Sequence, residues 1–280
     1  MTQQAERSYF IAWRGEGDYG WAMLSYQHIY HAGNLADVQK HALLCHVLDY
    51  MTQKDKPLTY IETHAGRGLY DLSSHEAEKT GEAAGGISVL ERKLRPSHPY
   101  RKRLAEVRAR HGASAYPGSP LLAVLSLRPT DQIHLSELHP QEHHGLYLSM
   151  ADFPVHLYQR DGLQQALALT PPTPRRGVML IDPSYEIKDD YVTIPKLFAA
   201  VGRKWNVGVL MLWYPILTSG AHLEMLATME ENHPDHLRHE VRFPPVREGH
   251  RMIGSGMFIV NPPWGTAEAA AEITDLFKKL

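Results

Sequence analysis

Short, wholly apolar runs that stop abruptly at polar or glycine-rich turns constrain this chain more than any other property. Leu58-Thr59-Tyr60-Ile61 runs into Glu62-Thr63-His64-Ala65-Gly66-Arg67-Gly68, and Val178-Met179-Leu180-Ile181 runs into Asp182-Pro183-Ser184-Tyr185. Strands of a parallel sheet read this way, because helices cover both of its faces. Ile133 to Leu138 alternates as a further strand stopped by His139-Pro140, and Val155 to Tyr158 ends near Asp161-Gly162. Val207 to Trp213 and Met257 to Val260 complete a set of six. Between them, residues 35 to 52 repeat at helical spacing behind Asn34, a natural cap, and Ser119-Pro120 opens another helix. This alternation predicts an α/β fold with a largely parallel, doubly wound sheet, its last strand antiparallel. Ligands of such sheets bind outside the carboxyl ends of the strands, where both turns lie.

The bulk composition narrows the class. With 280 residues and 43% hydrophobic content the chain can bury a full core, and 21% charged residues argues against general disorder. A single cysteine, Cys45, excludes a disulfide framework and a cysteine-based zinc site, and its apolar helical surroundings predict an inert thiol. No stretch approaches the ~18 apolar residues of a membrane span, and residues 1 to 22 lack the layout of a secretory signal. A cytoplasmic protein is expected. The 18 histidines are scattered, and pairs such as His28/His31 and His143/His144 form no recognisable metal signature. They read as surface and capping residues, and no metal is expected.

The glycine turn is followed too late by its acidic partner. An acid usually lies about 20 residues beyond such a turn, whereas Gly68 and Glu137 are more than three times as far apart. The surplus, residues 69–117, carries Arg92, Lys93, Arg95, Arg101, Lys102, Arg103, Arg108 and Arg110. It reads as an inserted helical subdomain whose basic face suits phosphate contact.

The two turns have complementary chemistry. Gly66 and Gly68 permit close backbone approach to a cofactor. Glu137 ends the second strand, where a carboxylate can accept two ribose hydroxyls, and Asp161 ends the third, where it can accept an adenine amine. Asp182-Pro183-Ser184-Tyr185 departs at its third position from the pattern Asp/Asn/Ser-Pro-Pro-aromatic that serves methylation of exocyclic amines. An aryl amine is a poor nucleophile because its lone pair is conjugated. The Asp182 carboxylate and the Pro183 carbonyl can hold its two N–H bonds, and Tyr185 can stack on the base. A second copy, Asn261-Pro262-Pro263-Trp264, matches the pattern in full, but it follows the last strand and reads as structural or pocket-lining.

Tyr26, His31-Ala32-Gly33-Asn34, Ala36-Asp37-Val38, Lys40-His41, Glu62-Thr63-His64-Ala65-Gly66, Tyr116-Pro117-Gly118-Ser119-Pro120, Glu137-Leu138-His139-Pro140, Asp161-Gly162, Asp182-Pro183, Trp213-Tyr214-Pro215 and Asn261-Pro262-Pro263-Trp264 occur in order. Together they resemble the bacterial large-subunit ribosomal RNA adenine-N6 methyltransferases of the J type, over nearly the whole chain. The resemblance implies a Rossmann-like, S-adenosylmethionine-dependent methyltransferase sheet with a small inserted helical subdomain. It implies cofactor contact at His41, His64, Ser119, Glu137, Asp161 and Gly162, catalysis at Asp182, and substrate contact at Tyr26. It also implies that residues 1–22 are an extension before the methyltransferase domain, 23–280. Ser184 replaces the usual second proline, and Glu62 stands where Asp is common.

The expected function is methyl transfer from S-adenosylmethionine to N6 of an adenine in 23S ribosomal RNA, single-stranded or unstacked, with no membrane and no metal involved. Nothing demands more than a monomer. An adenine-N6 methyltransferase acting on DNA, and a non-catalytic nucleic-acid-binding module with a decayed site, are the other readings of the same residues.

Overall fold

The computed structural model describes residues 26–243, 251–278 and 280; the expected extension at 1–22 and the domain boundary at Met23 lie outside them. After a 3₁₀ turn at His28–Tyr30 come helix α1 (Leu35–Thr52) and strand β1 (Thr59–Glu62). A two-stranded antiparallel ribbon, β2 (Leu69–Asp71) with β3 (Ala115–Pro117), then brackets the helices α2 (His75–Thr80), α3 (Glu82–Gly85), α4 (Ile87–Leu90) and α5 (Pro99–His111). The main path resumes with α6 (Ser119–Ser126), β4 (Gln132–Ser136), α7 (Pro140–Ser149), β5 (His156–Tyr158), α8 (Gly162–Leu169) and β6 (Gly177–Ile181). It ends with α9 (Asp190–Lys204), β7 (Val209–Leu217), α10 (His222–Asn232), β8 (His236–Arg242), β9 (Met252–Val260) and α11 (Thr266–Phe277). None of the described helices is long and apolar enough to cross a membrane.

Seven strands form one sheet in the order β5-β4-β1-β6-β7-β9-β8. β1 lies third in that order and pairs in parallel with β4 on one side and β6, the central strand, on the other. The chain therefore winds outward in opposite directions from β1 and β6, which makes their carboxyl ends the switch point where ligands bind. Every residue of β1 and β6 is buried, as expected of strands covered on both faces. β9 runs antiparallel between β7 and β8.

Six strands were expected from the sequence, and the sheet has seven. The addition is β8, His-Leu-Arg-His-Glu-Val-Arg. Its inward positions are Leu237, His239 and Val241, and His239 breaks the apolar alternation. The histidine is buried because its ring lies 3.0 Å from Gln39 Nε2 and 2.9 Å from Thr274 Oγ1. Pro215 sits inside β7, beyond the last residue that β7 pairs with β6, so its missing N–H breaks no ladder there.

α1 begins where expected, with the Asn34 side chain accepting the Asp37 amide at 2.9 Å. It packs against α5, α6, α11 and β9, so it is buried nearly all round. Four of its buried side chains are polar: Gln39 meets His239, and Asp37, Lys40 and His41 line the site.

Candidate active site

A cavity of about 1180 Å³ opens at the switch point. The turns after β1, β4, β5 and β6 form one wall, and the segment from Tyr26 to His41 forms the other. Asp182 follows the last residue of β6. Its Oδ2 accepts a 2.6 Å hydrogen bond from Lys40 Nζ, which also lies 2.9 Å from Asp37 Oδ1. Burial works against the Lys40 charge, but Asp182 and then Asp37 outweigh it and hold the amine above its ordinary value. Asp37 is buried too. It accepts the Gly33 amide at 2.9 Å and lies 2.9 Å from His28 Nε2. Burial would raise its carboxyl, yet His28, Lys40 and His41 together hold it well below the usual range.

The cofactor candidates gather on the β1 side. Gly66 has φ +61°, and its amide donates to Glu137 Oε2 at 2.8 Å. The His139 amide donates to the other Glu137 oxygen at 2.8 Å, so two backbone amides aim this carboxylate. Burial raises Glu137, against the pull of those amides. Asp161 caps α8 through the Gln164 amide at 2.9 Å and also lines the cavity. His64 packs its Nδ1 2.7 Å from Thr63 Oγ1, and burial lowers its basicity. His41 is pushed down to about 3 by burial, and its Nδ1 lies 2.9 Å from the Tyr116 hydroxyl. His41, His64, Gly66, Ser119, Glu137, Asp161 and Gly162 all line the cavity, as do Tyr26, Asp182, Pro183 and Tyr185.

Gly68 does not line the cavity. Its φ is +74°, and its carbonyl accepts the Gly118 amide at 2.8 Å, so it turns the chain into the β2–β3 ribbon. Gly162 has a packing role besides its position in the cavity: an added Cβ would lie 1.8 Å from the Thr63 carbonyl oxygen.

Tyr185 adopts φ +56°, unusual for a residue with a side chain and characteristic of functional turns. Its hydroxyl donates to the Trp213 carbonyl at 3.0 Å, and its ring centroid is 4.8 Å from that of Tyr191. Ser184 is exposed. Tyr26 stacks on His31, with ring planes 7° apart.

Below the cavity Glu62 is fully buried, accepting hydrogen bonds from the Tyr60 and Ser119 hydroxyls. Burial pushes its carboxyl from an ordinary 4.5 up to about 8, against those two bonds. The folded state therefore keeps the acid neutral at pH values where the unfolded chain ionises it. The stability it contributes is complete below the unfolded value and is lost as pH rises through the folded one. Glu62→Gln is expected to flatten the decline in unfolding free energy between about pH 5 and pH 8, measured by chemical denaturation. Parallel declines in the two proteins would exclude this.

A family model described as "Ribosomal RNA large subunit methyltransferase D, RlmJ" matches residues 55–280. The chain belongs to the RlmJ family. It is 37% identical over 247 residues to ribosomal RNA large subunit methyltransferase J of Escherichia coli (strain K12), covering 86% of this chain and 88% of that one. The Haemophilus influenzae protein of the same name is 36% identical over 263 residues, covering 92% and 94%. The crystal structure of protein LPL1258 from Legionella pneumophila matches with a TM-score of 0.80 and 36% identity, over 88% of this chain and 92% of that one. The seven-stranded α/β sheet is accordingly the sheet of this family, shared with the Legionella pneumophila protein.

In this RlmJ-family chain, of the two roles read for the second proline turn the structural one holds. Asn261-Pro262-Pro263-Trp264 lines no part of the cavity. Because β9 is antiparallel, Val260 pairs with Leu210 near the start of β7, at the edge of the sheet opposite the site. There the Asn261 amide donates to the carbonyls of Asn206 and Gly208, at 3.0 and 2.8 Å, so the turn is structural. The basic residues between β2 and β3 do not line the cavity either. Arg95 pairs with Glu272, Arg103 and Arg110 with Glu106, and Arg108 with Glu91, so much of that charge is met within the protein.

Sequence reasoning assigned no role to Asp37, Lys40 or His28. The available signal was an Asp and a Lys three residues apart in a helix whose apolar residues recur nearly all round it, where solvated charges would not fit. Among the described residues, no group of three or more His, Cys, Asp or Glu side chains is arranged to hold a metal ion.

Proposed function

We propose that this cleft transfers a methyl group from S-adenosylmethionine to N6 of an adenine in 23S ribosomal RNA. The observation that carries the reading is the Asp182-Pro183 turn at the switch point, lining one cavity together with Gly66, Glu137 and Asp161. The cavity exceeds the usual range of about 300–1,000 Å³ for one small ligand, which suits a donor and a flipped base together. The names of the two curated relatives support ribosomal RNA as the substrate class.

The residues fit the cofactor. Glu137, aimed by two amides, suits the ribose hydroxyls, and Asp161 suits the adenine amine; His41, His64, Ser119 and Gly162 line the same cavity. S-adenosylmethionine supplies a methyl group on a positively charged sulfur. Asp182 and the Pro183 carbonyl accept the two N–H bonds of the target amine and leave its lone pair aimed at that carbon. Lys40 fixes the rotamer of Asp182, so the acceptor is set before substrate arrives. With Asp37 and Asp182 ionised and Lys40 charged, these three side chains carry one net negative charge, which complements positive charge moving from sulfur to nitrogen. The transfer is direct: Cys45 is fully buried and its thiol is pushed up by burial. Tyr185 stacks on the base, and Tyr26 contacts the substrate from the opposite wall.

Labelled S-adenosylmethionine with unmodified 23S ribosomal RNA is expected to yield labelled N6-methyladenosine on nucleoside analysis. Label appearing only on duplex DNA would reassign the substrate, and cofactor binding without any label would leave a binding module. Ser184→Pro, which restores the common motif, is expected to stabilise the turn by about 0.4–1 kcal/mol without lowering the transfer rate. A large loss of rate in that variant would show that Ser184 takes part in holding the base.

A further inference from the structure

The amino ends of the parallel strands, opposite the cleft, concentrate positive charge that the proposed chemistry does not use. Lys54 and Lys56 precede β1, and Arg128 precedes β4. Arg175 and Arg176 precede β6, and Lys204 ends α9 just before β7. The four strands are parallel neighbours in the order β4-β1-β6-β7, so their preceding loops lie side by side. None of the six residues lines the cavity.

Backbone carbonyls tie the loops together without neutralising them. Arg128 donates to the Lys54 and Lys56 carbonyls, both at 2.7 Å. Arg176 donates to the same Lys56 carbonyl at 3.0 Å, and Arg175 to the Lys204 carbonyl at 3.3 Å. A carbonyl takes up an N–H but cancels no charge. Among the described residues, Arg128 alone of the six lies within 4.0 Å of a carboxylate, with Asp131 at 3.0 Å and Asp55 at 4.0 Å. Burial, and then the neighbouring Arg128 charge, lower the Arg176 guanidinium. Lys54, Lys56, Arg175 and Lys204 are exposed. By contrast, four arginines between β2 and β3 each have a glutamate partner. The chain as a whole has a formal net charge of −2, so this unmatched excess is local.

We propose that this end of the sheet binds backbone phosphates of the RNA substrate, away from the adenine held in the cleft. Four adjacent strands span about 14 Å, room for several phosphates of one strand at about 3.4 Å of rise each. Exposed lysines and an arginine spread over that width suit a run of phosphates better than a single small anion. Arg128 and Arg176 brace the loops beneath them. Contacts of this kind read no sequence; they add affinity and fix how a large RNA lies on the protein. The inference rests on the reading of the cleft as an RNA methyltransferase site, and it adds a second place where the same RNA is held.

The test combines Lys54→Gln, Lys56→Gln, Arg175→Gln and Lys204→Gln in the full chain, leaving the bracing arginines in place. Unchanged S-adenosylmethionine affinity by calorimetry is expected and shows that the fold is kept. In filter binding to 23S ribosomal RNA across a salt series, the slope of log affinity against log salt should shrink by about 3, at roughly 0.7 per lost phosphate contact. In methyl transfer, KM for 23S ribosomal RNA should rise about tenfold or more at unchanged kcat. The shortest fragment around the labelled adenine that is still methylated should keep its KM, because it cannot reach the far end of the sheet. An unchanged salt slope overturns the proposal. So does an equal rise in KM on the short fragment, which would place the effect in the cleft or in net charge. Loss of binding to vesicles of phosphatidylglycerol, with RNA binding intact, overturns it in favour of a membrane surface. Absence of label on either RNA with the unaltered protein overturns the methyl-transfer reading, while the salt slope, which needs no turnover, still decides the surface.

Discussion

Asp182→Ala is expected to lower methyl transfer at least ~10²–10³-fold, the usual cost of removing one preorganised polar partner of a reacting group. Affinity for S-adenosylmethionine should change little, because in the proposed mechanism Asp182 holds the amine and Gly66 and Glu137 hold the donor. Lys40 keeps Asp37 as a counter-charge in this variant, so the protein should fold. Asp182→Asn is the sharper comparison. An amide oxygen still accepts one N–H of the target, but the negative charge facing the developing cation is gone. Its rate should fall between those of the unaltered protein and the alanine variant. The measurement is labelled N6-methyladenosine per turnover. An alanine variant as active as the unaltered protein would remove Asp182 from the mechanism.

The second large effect concerns Gly162. A Cβ there would meet the Thr63 carbonyl oxygen at 1.8 Å, its carbon at 2.5 Å and Cα at 2.7 Å. All three are backbone atoms, so no rotamer change relieves the clash, and α8 must move away from the turn after β1. Gly162→Ala is therefore expected to cost about 3 kcal/mol, at the upper end for overpacking. By displacing Thr63 and His64 it should also weaken cofactor binding at least tenfold, equivalent to about 1.4 kcal/mol. Denaturant unfolding and calorimetry separate the two losses. Full affinity in a destabilised variant would mean that the wall tolerates movement at Thr63.

Much of this architecture could be read from the sequence because local signals and tertiary environment agreed. β1 and β6 are buried on both faces, so continuous apolar runs marked them. Asn34 capped α1 as its side chain predicts. Signals failed where distant partners changed a residue's meaning. His239 looked unsuitable for a strand interior until Gln39, 200 residues away, and Thr274 accounted for its ring. Asp37 and Lys40 had no assigned role until Asp182, 142 residues beyond Lys40, joined them. The acidic partners of the arginines between β2 and β3, such as Glu272 for Arg95, lie too far along the chain for a linear tally to register. Gly68 shared the turn signal of Gly66 but was committed to the ribbon.

The reversal of β9 also separates the evolutionary fates of the two proline turns. Asn261-Pro262-Pro263-Trp264 spells the motif more faithfully, yet its strand delivers it to the far rim of the sheet, and no substitution within it can make it a second methylating centre. Drift at Pro263 answers to folding alone. A catalogue of motif matches that ignores strand direction would rank this copy above the Asp182 to Tyr185 turn, which lines the cavity.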